Sequence, residues 1–105
     1  MKLRDKQWLF ARCLARLILK AELMGYELTF GETYRPEERA ASYSVHPMRL
    51  AVDLNLFIDG EYRKDTEAHE ALGRYWESMH SLCRWGGRFK KKDGNHYSLT
   101  HGGKA

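Results

Sequence analysis

His46 and Asp53 stand seven residues apart in SVHPMRLAVDLNLF, and Asp93 and His96 stand three apart in DGNHY. Two imidazoles and a carboxylate, His46, Asp53 and His96, make a donor set that suits a tetrahedral Zn²⁺ whose fourth position is left to water. That is the arrangement of a catalytic centre, not of a sealed structural one. Asp93 beside such a centre can accept a proton from an attacking water and return it to a leaving amine. Arg35 adds a fixed cation, suited to a substrate carboxylate or carbonyl, or to the negative charge that develops on a carbonyl oxygen. Each of these residues taken singly is more often a surface or hydrogen-bonded group. The expectation rests on their convergence.

The elements that must position them follow from hydrophobic period. Apolar residues Trp8, Leu14, Leu17, Ile18, Ala21 and Met24 recur at helical spacing between Gln7 and Met24, and Gly25 ends that helix. In YELTFGETYR, Tyr26, Leu28, Phe30 and Tyr34 alternate with polar residues, so Arg35 points away from the core. Pro36, Glu37 and Glu38 suit the first turn of a short helix that ends near Tyr43. Leu50, Val52, Leu54, Leu56 and Ile58 fill one face of the next strand and leave Asp53 on the other. Asp59-Gly60 then predicts a type I′ hairpin.

Asp65 or Thr66 caps a second helix with Ala68, Leu72, Tyr75, Trp76 and Met79 on its buried stripe, ending near Leu82. In HYSLT, Tyr97 and Leu99 face inward, so His96 faces outward like Asp53. An unbroken strand would put His46 and Asp53 on opposite faces, but Pro47 supplies a bend that lets His46 swing from a loop toward the carboxylate. Gly94 and Asn95 supply the turn that lets Asp93 and His96 reach one centre. The fold expected is α+β: a small antiparallel sheet with helices packed on one face and the other face open, bearing the zinc.

With 105 residues, 43% hydrophobic and 30% charged, the chain fits one domain, read as 1–105 and as a monomer. No apolar run is long enough for a membrane span. The basic start is interrupted by Arg12, Arg16 and Lys20 and lacks a small-residue cleavage site, so it reads as a mature helix and not a signal peptide. The net charge of +4 predicts attraction to polyanions, but acidic residues scattered among the basic ones argue against nucleic acid.

Other groups compete for attention. His80 and Cys83 form an H-x-x-C pair at a helix end, with His69 on the same face, but no further ligand converges on them. Cys13 and Cys83 read as buried free thiols of a protein made in a reducing cytoplasm, a disulfide being the alternative. Trp76, Trp85 and Tyr75 read as core before they read as a sugar or peptide groove. Lys90–Lys92 is a solvated turn, close enough to Asp93 to attract an anionic cell wall. His101 sits in a Gly-flanked tail.

SVHPMRLAVD resembles the S-x-H-x-x-G-x-A-x-D motif, and DGNHY the D/E-x-x-H-aromatic motif, of the zinc D-Ala-D-Ala carboxypeptidase and L-alanyl-D-glutamate endopeptidase family, which includes phage endolysins. GETYRPEERA resembles the segment that carries the family's active-site Arg, and WGGRF precedes the last motif as in relatives. The resemblance implies His46, Asp53 and His96 as zinc ligands, Asp93 as general base, Arg35 as the carbonyl-stabilising Arg and Ser44 as a substrate-side or supporting hydrogen bonder. Arg49 stands where relatives usually have Gly, and Tyr97 where Phe is commoner.

What the resemblance implies overall is a zinc peptidase of the peptidoglycan stem peptide, first an L-alanyl-D-glutamate endopeptidase of phage-endolysin type. Such an enzyme is synthesised in the host cytoplasm without a signal peptide and acts on the wall after release. The alternatives are a D-Ala-D-Ala carboxypeptidase or dipeptidase, and a non-catalytic zinc-stabilised module that binds the wall.

Overall fold

The chain begins with a long helix, α1 (Leu3–Leu23), whose buried side is Phe10, Cys13, Leu17 and Ala21. This corrects the stripe expected from the sequence. Leu14 and Met24 are partly buried against the core, but Trp8 and Ile18 are exposed. Apolar residues occur on two sides of α1, and period alone does not say which side the sheet will take. Gly25, at φ 78°, ends the helix as expected, its N–H donating to the Glu22 carbonyl.

The computed structural model describes residues 1–32 and 45–105. Arg35, Ser44 and the short helix expected after Pro36 lie outside the described residues.

Among the described residues five strands follow: β1 (Tyr26–Phe30), β2 (Ala51–Ile58), β3 (Glu61–Arg63), β4 (Cys83–Trp85) and β5 (His96–Leu99). The second helix, α2 (Thr66–Met79), lies between β3 and β4. All pairings are antiparallel, in the order β1-β2-β5-β4, with β3 also on β2. The long strand β2 serves two sets of partners: its Leu54–Ile58 part pairs with β1, and its Ala51–Asp53 part pairs with β5. Asp59 and Gly60 both take positive φ, 52° and 79°, as the type I′ hairpin from β2 to β3 requires.

Alternation on β2 sorts the two faces as the sequence predicts. Leu50, Val52, Leu54 and Leu56 are buried with Tyr97, Leu99, Cys83 and Trp85 from the neighbouring strands. The helices cover this face. Trp76 of α2 packs edge-on against Phe10 of α1 (5.7 Å between centroids) and against Tyr97 (5.9 Å), and its Nε1 donates to the Ser98 carbonyl. Asp65 caps α2 by accepting from the Ala68 N–H at 3.1 Å. The helix ends at Met79, three residues before the position expected, because Cys83–Trp85 forms a strand that the sequence pattern did not announce. Cys13 and Cys83 are free and buried; burial and the adjacent Cys13 thiol push the Cys83 thiol up to about 12. No helix among the described residues is long and apolar enough to cross a membrane.

Candidate metal centre

Asp53 sits on β2 where the strand is gripped from both sides. Its N–H donates to the Glu32 carbonyl and its carbonyl accepts from the Gly31 N–H, both at 2.8 Å, while the next N–H, of Leu54, donates to Asn95 at 2.9 Å. In the antiparallel register Asp53 lies directly opposite His96, the first residue of β5. Directly opposed residues share a face with their Cβ atoms about 5 Å apart, which brings the carboxylate and the imidazole together.

His46 arrives from a single 3-10 turn, His46–Met48, with Pro47 near its start. The turn closes through Arg49 in the left-handed region (φ 57°), with Arg49 N–H donating to the His46 carbonyl and Leu50 N–H to the Val45 carbonyl. That is a Schellman-type exit, for which Gly is the favoured residue, and it is the position where the resemblance expects Gly. The reversal of direction that Pro47 predicts is therefore completed by a strained Arg49. Gln7 of α1 ties the turn down by donating to the Met48 carbonyl at 2.9 Å.

Together these elements place Oδ1 of Asp53 3.4 Å from Nε2 of His46 and 3.4 Å from Nδ1 of His96. One donor atom from each of the three residues lies within 4.8 Å of the others. Donors about 2.0–2.1 Å from a tetrahedral zinc lie about 3.4 Å from one another, so the two carboxylate–imidazole separations match edges of such a tetrahedron. They are long for hydrogen bonds between the same atoms. Burial alone would raise the Asp53 carboxyl, but the contacts with His46 and His96 and their charges outweigh it and hold the group well below the usual carboxylate range. The residues thus fit a divalent cation.

The sheet is open as expected, and the donor groups on it are sunk below its surface. His46 and His96 are only 2% and 4% exposed, their rings edge-on at 5.3 Å, and Ser98 is fully buried beside them. Asp93 is the solvent-side member: its carboxylate is 54% exposed and comes 4.0 Å from Nδ1 of His96. The Gly94-Asn95 turn forms as predicted, closed by the His96 N–H donating to the Asp93 carbonyl at 3.1 Å.

Three supports of this site went unread in the sequence. Gly86 accepts from the Asp93 N–H at 2.9 Å, and a Cβ on it would run into the Asp93 carbonyl oxygen and approach the His96 Cβ to 2.8 Å. Trp85 donates from Nε1 to the Gly94 carbonyl at 2.7 Å, with its ring where a Cβ on Gly73 or Gly87 would stand. Phe89 packs its ring 5.3 Å from that of His96. The Gly pair after a Trp was the available signal for the first two, since adjacent glycines beside an aromatic mark close approach of backbone to a neighbour.

The other candidate ligands go elsewhere. Among the described residues, His46, Asp53 and His96 make up the group of His, Cys, Asp or Glu side chains able to hold a metal. His69 shares a 2.8 Å hydrogen bond with the Tyr97 hydroxyl, His80 accepts from the Leu82 N–H, and His101 pairs with Lys6.

Residues 38–99 match the family model described as D-alanyl-D-alanine carboxypeptidase. The chain belongs to this family of peptidases. The match takes in His46, Asp53, Asp93 and His96 and all of the sheet except β1. The fold is also that of a solved relative, the crystal structure of Serratia marcescens L-Ala D-Glu endopeptidase ChiX, with a TM-score of 0.65 and 24% identity over 87% of this chain and 77% of that one. No curated protein matches the sequence.

Proposed function

We propose that this carboxypeptidase-family chain is a zinc-dependent peptidase of the peptidoglycan stem peptide, and that it cuts as an L-alanyl-D-glutamate endopeptidase of phage-endolysin type. The observation that carries the zinc assignment is the carboxylate oxygen of Asp53 set at 3.4 Å from one nitrogen of each histidine. The endopeptidase reading draws on the solved relative's activity, and the family description keeps D-Ala-D-Ala carboxypeptidase as the second reading. The chain acts on the cell wall as a monomer.

His46, Asp53 and His96 would hold the metal. Zinc, when bound, supplies a Lewis acid that polarises the scissile carbonyl and acidifies water. Asp93, solvent-exposed and adjacent to the ligands, takes the proton of the attacking water and delivers it to the departing amine. Its anchored backbone holds the carboxylate at the mouth of the site, so little reorganisation is needed for either transfer. Arg35 supplies the cation opposite the developing oxyanion, and Ser44 a hydrogen bond toward substrate.

Mass spectrometry of fragments released from purified peptidoglycan separates the readings. A new N-terminal D-glutamyl peptide supports the endopeptidase, free D-alanine supports the carboxypeptidase, and absence of any product from zinc-loaded protein on several wall types points to a binding module. Asp93→Ala should keep zinc near one per chain while turnover falls about 10²- to 10⁴-fold. Full activity in that variant would end the general-base role.

A further inference from the structure

Helix α1 is apolar on two opposite sides. One holds the buried Phe10, Cys13, Leu17 and Ala21. At about 100° per residue, the far side carries Trp8, Ala15, Leu19 and Leu23, and the three large side chains there are 55%, 59% and 82% exposed. Arg12 falls inside this stripe one turn after Trp8, Arg4 and Arg16, exposed like it, flank it, and the Arg4 guanidinium lies 4.9 Å from the centre of the Trp8 ring. Two acids share this side: Asp5, whose carboxylate lies 3.9 Å from Nε of Arg4, and Glu22, exposed at the far end of the helix. A stripe of Trp and Leu between arginines suits the boundary between lipid headgroups and acyl chains, where the rings and aliphatic groups sink in and the guanidinium groups meet phosphate.

We propose that the outward face of α1 docks the protein on anionic lipid bilayers. Charge complementarity selects this occupant. A second copy of the chain would have to bury Arg12 and Arg16 together with only three large apolar side chains, a poor core for a stable interface. Each basic residue held near an anionic bilayer instead strengthens binding about fivefold. Because α1 covers the core face of the sheet, a docked chain turns the Asp53–His96 face away from the lipid. The proposal goes beyond the peptidase reading, and the binding does not depend on it.

Cosedimentation of the full chain with phosphatidylcholine vesicles, and with vesicles that also contain phosphatidylglycerol, tests it. Binding should require the anionic lipid and weaken with salt. Arg12→Glu with Arg16→Glu should lower it at least about 25-fold, and Leu19→Ser with Leu23→Ser about tenfold or more. All four positions are exposed, so circular dichroism and melting should match the parent. Without any substitution, lipids brominated on their acyl chains should quench Trp8 fluorescence, since Trp76 and Trp85 are buried. Equal binding to both vesicle types, or none, overturns the proposal. So does loss in the Arg variant without loss in the Leu variant, which reveals a general polyanion site. A dimer in sedimentation velocity that Leu23→Ser abolishes assigns the face to a second copy.

Discussion

The two ends of β2 share one alternation and differ in what it achieves. Asp53, Asn55 and Phe57 project from the same face of the strand. At the β5 end, Asp53 is mostly buried and meets two histidines. At the β1 end, Asn55 is half-exposed and hydrogen-bonded to Thr29 at 3.2 Å, and Phe57 lies 5.3 Å from the Tyr62 ring. The candidate metal centre thus lies at the end where the His46 turn and the Asp93–His96 turn close over the strand. Facing away from the core is necessary for the site, and being covered by those two turns is what makes it one.

The most severe way to break this contrast is to remove the same kind of group at both ends. If Asp53 holds the metal as proposed, Asp53→Ala should abolish zinc retention and lower wall hydrolysis by at least about 10²-fold, whereas Asn55→Ala should keep both. Zinc content by atomic absorption and turnover, measured on the pair, decide it. Equal effects would mean that position along β2 does not matter.

Gly86→Ala probes the turn that supports Asp93. The added Cβ has no room between the Asp93 carbonyl and the His96 Cβ, so stability should fall by about 1–3 kcal/mol and activity with it. Gly60→Ala in the exposed hairpin meets no neighbouring atom and carries only backbone strain at φ 79°. Urea denaturation should show a stability loss at both positions, while turnover of the folded protein, measured alongside, should fall only for Gly86→Ala.

A smaller contrast is set by pH. Burial holds the His69 imidazole below its usual 6.5, outweighing the raising influence of the Arg63 backbone and Asp65. Its folded form is the neutral one. The stability it contributes is full above about pH 6.5, is lost as pH falls and the unfolded chain takes up the proton first, and levels off once the folded ring is protonated too. The difference in unfolding free energy between the parent and His69→Gln should shrink or reverse over that window. A pH-independent difference would refute the assignment.

The smallest effect belongs to Arg49. Left-handed geometry costs a residue with a Cβ about 1–2 kcal/mol, and glycine's extra freedom in the unfolded chain returns about half of the relief. Arg49→Gly should raise stability by less than about 1 kcal/mol and leave zinc content unchanged. A destabilised Arg49→Gly would mean that the Arg side chain contributes more than its backbone costs.

Alternation was legible in the sequence because a strand's side chains have a fixed period of two. From it came the face of Asp53 and His96, the Asp59-Gly60 hairpin and, with Pro47 and Gly94-Asn95, the two turns. The capping of α2 by Asp65 is as local and was as readable. Tertiary structure decided what depends on partners far along the chain. The pairing of Asp53 with His96 is a register across 43 residues that no local rule fixes. The burial of His46 and His96 depends on which segments fold over them. The strand at Cys83–Trp85 is too short to show a period and exists because β5 offers it an edge. The side of α1 that meets the core was equally undetermined: two apolar stripes have the same period, and the sheet, by covering Leu17 and leaving Leu19 in water, made the choice.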